Sequence, residues 1–387
     1  MNDFDRIISR YGRFSMKYDP VSRGKPEDVL PLWVADMDFP APPCVTDTLI
    51  EYARHGIFGY SEPDTAYFET VQNWFLHRFG WRVNREWLSI TPGVVNAIYI
   101  CIKALTNAGD GVVIQQPVYY PFESAVRHIQ RKLLINQLIY QNGRYTIDFA
   151  DFENKIKQAK LFILCSPHNP VGRVWTREEL IRMGEICLKY NVAVIADEIW
   201  QDFIYPDHQH FVFASLVPEF SDITVTATSP SKTFNLAGLQ HANIFISNKL
   251  IRSKFVQEYA ACGLSQPNLM GLVSCKAAYE NGAAWLNELI VYLAKNMLLI
   301  NDFLQKNIPA VKSVEAEGTY LAWLDCSALQ IPPQKLDEVI THKAKLWLND
   351  GAKFGAGGAG FQRINAACPR SVLNNALVRL ESALKFM

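Results

Sequence analysis

The sequence predicts an α/β fold. It has a large domain on a mostly parallel sheet covered by helices, and a smaller α+β domain at the C-terminal end. Two patterns and the length predict it. Between about residues 110 and 246, short, nearly continuous apolar runs alternate with helix-length stretches. Such runs suit parallel strands buried on both faces. After about residue 250 the pattern turns to long helical stretches mixed with a few strands. The 387 residues exceed one small module and suit a large domain plus a smaller one.

The first stretch holds prolines at 20, 26, 31, 40, 42 and 43. It reads as an extended arm lying across the rest. Strands are expected at 112–116 (VVIQQ), after the turn Ala108-Gly109-Asp110-Gly111, and at 133–138 (LLINQL). Further strands are expected at 161–165 (LFILC), at 192–196 (VAVIA) after the amphipathic stretch 177–190, at 223–227 (ITVTA) and at 242–246 (ANIFI). The gap between the last two is too short for a helical crossover, which predicts one antiparallel strand. Helices are expected at 251–259 and 270–279, with a long amphipathic one at 283–303 joining the domains. A strand at 319–324 (TYLAWL) and helices at 334–344 and 371–386 complete the smaller domain. The expected division is 1–50 for the arm and part of the small domain, 51–285 for the large domain and 286–387 for the small one.

Composition narrows the function. Lys+Arg and Asp+Glu are 38 each, which disfavours a nucleic-acid binder. With 49% hydrophobic and 20% charged residues the chain is globular rather than disordered. No uninterrupted apolar run reaches the ~18–20 residues of a membrane span, and MNDFDRIISRYGR lacks a secretory apolar core. Eight scattered cysteines, none in a CxxC pair, read as free thiols of a cytoplasmic protein. No membrane or nucleic-acid partner is expected.

Ligands of open parallel sheets bind beyond the carboxyl ends of the strands. Three segments expected there carry chemistry: Ser166-Pro167-His168-Asn169-Pro170, Asp197-Glu198 and Ser229-Pro230-Ser231-Lys232. Taken singly, each has a plainer reading as a surface lysine, a helix-capping Asp or a turn Asn. Together they match what pyridoxal phosphate needs. A partly desolvated lysine attaches to the aldehyde, a buried carboxylate faces the pyridine nitrogen, and an amide reaches the ring oxygen O3′.

SPHNPVGRVW, ADEIW and SPSKTFNLAGLQ resemble the fold-type I pyridoxal-phosphate enzymes, the aspartate-aminotransferase superfamily. LPLWVADMDFPAP, GTYLAWLD and GFQRINAACPRS are similar to the MalY/PatB-type C–S lyases, which include cystathionine β-lyases and cystalysin. The resemblance spans about residues 4–387. It implies a seven-stranded sheet in the large domain, a homodimer with shared active sites and a small amino-acid substrate. The implied reaction is α,β-elimination of cystathionine or a related cysteine S-conjugate to thiol, pyruvate and ammonia. Lys232 takes the place of the cofactor-bearing lysine and proton carrier, Asp197 that of the ring-nitrogen partner, and Asn169 that of the O3′ donor beside the substrate. Tyr119 matches the stacking aromatic, with Tyr120 next in register. Gly93, Val94 and Val95 match the turn whose N–H groups face the phosphate, with Ser229 and Ser231 beside it. Tyr60 matches the tyrosine reaching the neighbouring subunit's phosphate. Arg363 matches the grip on the substrate α-carboxylate, and Ala35 lies in the loop that closes over the substrate.

Two positions depart from the wider superfamily. Gln240 stands eight residues after Lys232, where many aminotransferases have a phosphate-binding arginine. Trp200 stands three after Asp197, where Tyr or His is usual; indole donates one hydrogen bond and accepts none. An aminotransferase shares the early steps of the reaction, and a regulatory interaction protein on the same fold is a further alternative. The glycines of 351–360 do not sit in an early βαβ unit, so they are expected to shape the loop before Arg363 rather than bind a dinucleotide. Asp207, His208 and His210 read as a solvated turn and not as metal ligands. Cys165 and Cys368 lie near the expected site without a nucleophilic signal.

Overall fold

The computed structural model describes residues 2–385. Seven strands form the main sheet: β1 (Leu88–Thr91), β2 (Gly111–Gln116), β3 (Lys132–Gln137), β4 (Ala159–Cys165), β5 (Ala193–Asp197), β6 (Thr224–Thr228) and β7 (Ala242–Phe245). Their order is β1-β7-β6-β5-β4-β2-β3. The five strands from β2 to β6 pair in parallel, while β7 runs antiparallel to β6 and to β1. The antiparallel strand expected at 242–246 is therefore β7. Strand β1 was not expected: LSIT is short, half polar and only half-buried along most of its length, so its sequence lacks the apolar run that marks its neighbours.

The apolar runs follow from burial on both sides. Val112, Ile114, Leu161, Ile163, Ile195 and Val225 pack with helices Val94–Leu105, Pro121–His128 and Lys249–Ala261 on one face. Val113, Phe162, Leu164, Val194 and Ala196 point the other way, against helices Phe149–Ile156 and Arg177–Lys189. Successive strand residues face opposite sides, so the central strands are apolar on both faces, with buried polar exceptions that include Gln115, Gln116 and the threonines of β6.

The second sheet holds β8 (Lys312–Ser313), β9 (Leu321–Asp325), β10 (Asn349–Asp350) and β11 (Phe361–Asn365), in the antiparallel order β8-β9-β11-β10. Its core includes Leu324, Ile340, Ile364 and Leu377. The arm joins this half of the molecule through Leu30–Pro31, which pairs in parallel with Leu346–Trp347. The strand expected from 319 starts only at Leu321, because Thr319 takes a left-handed backbone (φ 67°) and donates its N–H to Phe203 O (2.9 Å). The helix expected at 334–344 runs as Pro333–Glu338 and then widens into a π turn, Val339–Lys343. The last helix is Arg370–Leu384; the expected end at Phe386 lies outside the described residues.

The connecting helix Ala283–Asn307 reaches the length and mean hydropathy (1.3 over 18 residues) of a membrane span. A search for uninterrupted apolar runs misses this, because its polar residues are dispersed. Its buried residues Trp285, Leu286, Leu289, Leu293, Asn296, Ile300 and Leu304 recur at helical spacing, the stripe of a helix packed on a protein core.

Candidate active site

Strands β2, β4, β5 and β6 are consecutive in the sheet, and their carboxyl ends open on one cavity of about 210 Å³. Register brings the ends level: Cys165 pairs with Asp197, and Asp197 with Ala227. The cavity is lined by Asn169, Asp197, Ser229, Ser231 and Lys232 from the strand ends, and by Gly93, Val94, Val95 and Tyr119. Trp33, Val34 and Ala35 enter from the arm, and Asn349 and Arg363 from the second sheet.

Lys232 sits just past β6 in a single helical turn, Pro230–Thr233. Ser229 caps that turn by accepting the Ser231 N–H (3.0 Å), and proline at the first position supplies the helical φ. The Lys232 amine donates to the Ala35 carbonyl at 2.8 Å. Burial draws its pKa down to about 8, opposed by Asp36, assisted by Arg363 and opposed again by Asp197.

Asp197 is buried at the end of β5. Burial raises its carboxyl to about 7, against the lowering effects of the Ile199 N–H and of Lys232. That N–H donates to Oδ1 at 3.2 Å, and no ion pair closes on Asp197 among the described residues. Asn169 accepts through Oδ1 from Arg363 Nη1 (2.9 Å), and its carbonyl accepts the Tyr119 N–H (3.0 Å).

Arg363 stands in β11, buried. Burial lowers its pKa to about 10. Its Nη2 donates to Trp33 O (2.8 Å), its guanidinium lies 4.9 Å from the Phe354 ring centre, and its buried Nε has no partner. A desolvated guanidinium held by neutral acceptors, with donor capacity left over, is a receptor for a planar anion.

The helix Val94–Leu105 begins at Gly93 with no side-chain cap, which leaves its first N–H groups to face an anion. Beside it, Ser229 Oγ donates to His241 O (2.6 Å) and lies 2.8 Å from Ser231 Oγ. Gln240 and His241 line this end too. Tyr119 is half-buried against the cavity, and burial pushes its phenol well above the ordinary range; Tyr120 lines the same wall. Trp200 is buried edge-on to Tyr320 (4.7 Å between ring centres), with the Lys232 amine 5.7 Å from its ring centre.

Tyr60 stands apart. It is 97% exposed, beside the exposed Ile57 and Phe58, and does not line the cavity of its own chain. Sequence reasoning missed Trp33, Val34, Asn349, His241 and Tyr320. The first two lie in the motif LPLWVADMDFPAP, which gave a signal for the segment but not for each side chain. The others come from small-domain and loop positions whose proximity no local pattern encodes.

Three further expectations meet the structure here. His210 is not in a solvated turn: it is buried, with Nε2 3.2 Å from Glu198 Oε2, because the following segment folds back so that Glu198 also accepts the Phe213 N–H. The glycine-rich stretch forms two short 3₁₀ turns, Gly351–Phe354 and Ala356–Gly358, which place Phe354 against Arg363. Cys165 and Cys368 are buried, and burial pushes both thiols up, Cys368 to about 12, so neither is poised as a thiolate.

The residues present fit pyridoxal phosphate. An unpaired buried carboxylate, an amine of lowered pKa, an amide, an aromatic wall and an open helix N-terminus with two hydroxyls converge on one cavity.

Residues 27–380 match the family model for class I and II aminotransferases, and the chain belongs to that family, whose members depend on pyridoxal phosphate. Within it, the chain groups with the MalY/PatB-type enzymes. It is 44% identical to cystathionine β-lyase PatB of Bacillus subtilis, over 99% of this chain and 100% of that protein. It superposes on cystalysin of Treponema denticola, which contains pyridoxal 5′-phosphate, with a TM-score of 0.97 and 39% identity, covering 100% of this chain and 99% of that one. A PLP-bound putative aminotransferase from Clostridium difficile gives 0.98 and 42%, over 99% of this chain and 100% of the other.

Proposed function

We propose that the chain is a pyridoxal-phosphate-dependent C–S β-lyase that cleaves L-cystathionine or a related cysteine S-conjugate to a thiol, pyruvate and ammonia. The convergence of Lys232, Asp197, Asn169 and Arg363 on one cavity carries the reading, together with the likeness to PatB and cystalysin.

When bound, pyridoxal phosphate supplies an aldehyde that captures an amine and an electron-poor ring that accepts the electron pair released at Cα. Lys232 would hold the cofactor at rest. With nothing attached, its amine has a pKa of about 8, near the operating range of a general base, so once freed by substrate it would be the group that takes the Cα proton. Asp197 keeps the ring nitrogen protonated; a carboxyl at about 7 ionises fully once a cation faces it. Asn169 reaches the ring oxygen. Tyr119 would stack on the ring, and Trp200 would fill volume at the ring's edge. Gly93, Val94 and Val95 offer N–H groups to the phosphate, with Ser229 and Ser231. Arg363 turns its fork from Asn169 and Trp33 O to the substrate carboxylate, and Ala35 roofs the site.

The working unit is a homodimer in the cytoplasm, with domains at 51–285 and 286–387 and an arm at 1–50. Exposed Ile57, Phe58 and Tyr60 form an apolar tip suited to enter the partner, where Tyr60 meets the phosphate. A single-chain mass by light scattering would overturn the dimer.

The function is tested by incubating the holoenzyme with cystathionine and no keto acid. Stoichiometric pyruvate and homocysteine are expected. Amine transfer that appears only when a keto acid is added would instead make the chain an aminotransferase, the activity in the family's name.

A further inference from the structure

Residues 33–39 cross the cavity as a strap with neither helix nor a paired strand, yet side chains catch most of its carbonyls. Trp33 O accepts from Arg363 and from Asn349 Nδ2 (2.6 Å). Val34 O and Asp36 O accept from Asn365 Nδ2 (2.7 and 2.6 Å). Ala35 O accepts from Lys232 and from the Tyr320 hydroxyl (3.1 Å). Asn235 makes three bonds: Oδ1 accepts the Met37 N–H (2.9 Å), and Nδ2 donates to Met37 O (3.0 Å) and Phe39 O (2.8 Å).

These anchors are of two kinds. Lys232 and Arg363 must leave the strap to engage cofactor and substrate. Asn235, Asn365 and Tyr320 do not line the cavity, whereas Asn349 does. Asn235 is distinct among them, because it lies three residues after Lys232, at the end of the same turn. Its left-handed backbone (φ 59°) ends that turn and directs its amide to the strap. One side chain thus fixes the distance between the strap and the lysine.

We propose that Asn235 is a positioning residue that locks the 33–39 strap to the Lys232 turn, so that the Ala35 carbonyl stands ready to receive the Lys232 amine whenever that amine is free. The proposal rests on the reading of Lys232 as the reactive amine. A freed amine in a buried site needs an acceptor. The charged groups facing it are Asp36, Arg363 and Asp197, and Ala35 O is the acceptor within bonding distance. Because the asparagine amide accepts once and donates twice, it satisfies Met37 N–H, Met37 O and Phe39 O together, whereas a carboxylate donates nothing and a hydroxyl donates once.

The plain alternative is that Asn235 serves only its left-handed turn. Asn235→Gly separates the two roles, since glycine adopts that backbone freely and removes all three bonds. Two measurements on the holoenzyme decide. Hydrogen exchange of the peptide bearing Met37 should quicken roughly tenfold or more. Turnover should show kcat lowered roughly 10–100-fold with KM changed far less, the mark of a misplaced reacting group. Asn235→Asp, which keeps the Met37 N–H acceptor and loses both donors, should fall between and covers the case in which the glycine variant does not fold. Wild-type exchange and wild-type kcat in a folded variant would overturn the proposal, as would fast exchange with unchanged kcat. Exchange does not depend on which reaction is catalysed. Borohydride labelling of a lysine other than Lys232 would instead sink the reading beneath it.

Discussion

Asp197, Asn169 and Lys232 stand at the ends of neighbouring strands of one sheet, whereas residues 33–39 cross above them without a ladder of their own. The floor is positioned by backbone hydrogen bonds that repeat along β4, β5 and β6. The strap is positioned by Asn235, Asn349, Asn365, Tyr320 and the ion pairs of Arg10 and Lys17 with Asp36 and Asp38. Regular structure fixes a site where many residues share the task, so no one floor residue is needed to hold another in place. In the strap most peptides depend on one or two side chains, the Asp38 N–H to Ala367 O (2.9 Å) being a backbone exception. Floor substitutions should therefore remove chemistry and leave geometry, and strap anchors should do the reverse.

The largest effect is expected at Lys232. Lys232→Ala removes both the attachment point and the base, and pyruvate release should fall by roughly 10³-fold or more. The visible absorbance of the attached cofactor should vanish, and borohydride should label no lysine. Ala35 O keeps its Tyr320 donor, so exchange in the strap should stay near that of the unaltered protein. A strap that loosens as much as in Asn235→Gly would erase the distinction between floor and strap.

Next comes Asp197→Asn. An amide cannot balance a ring cation, and losing one such contact typically costs ~10²–10³ in rate. The cofactor should remain bound, and strap exchange should be unmoved, because the Asp197 carboxylate bonds only to the Ile199 N–H. A near-normal kcat would show that the ring nitrogen lies elsewhere.

The same contrast governs what the sequence discloses. Strands β2 to β7 are legible because each carries a run of apolar or β-branched residues, most of them buried, and with them the chemistry at their ends. β1 is hidden because LSIT, half-buried along most of its length, has no such run, whereas the other edge strand, β3, shows itself through Leu133, Leu134 and Ile135. The hairpin Ile139–Gln141 with Arg144–Thr146 is hidden for the same reason. In the strap, LPLWVADMDFPAP marks a segment by likeness, but that Asn235 and Asn365 would catch its carbonyls follows only from how the two domains and the arm meet. Glu317 is a further case. It is buried and takes Arg173 Nε (2.9 Å) and the Val174 N–H (2.8 Å), stitching the loop after Asn169 to the small domain across 143 and 144 residues of chain.

The smallest expected effect is a pH dependence of stability in protein stripped of cofactor. Asp197 has its folded pKa raised from 3.8 to about 7, so between those values the folded state holds a proton that the unfolded state has lost. Stability through this group therefore falls as pH rises across that window, opposite to a salt-bridged carboxylate. Lys232 has its folded pKa lowered from 10.5 to about 8. The unfolded state then holds the extra proton between about 8 and 10.5, and stability through Lys232 rises with pH across that range. Other groups add their own slopes, so the informative quantity is the difference between wild type and Asp197→Asn in denaturant midpoint at each pH. It should decline from pH 4 to 7, where the Asp197 contribution ends. Asp197 also helps hold the lysine pKa up, so the variant's Lys232 limb should begin at lower pH. Binding the cofactor should abolish the lower limb, since a carboxylate facing a cation stays ionised through that window. A flat difference between pH 4 and 7 in the stripped protein would mean that Asp197 meets water or a hidden donor. The floor would then be less dry than its apolar strands imply.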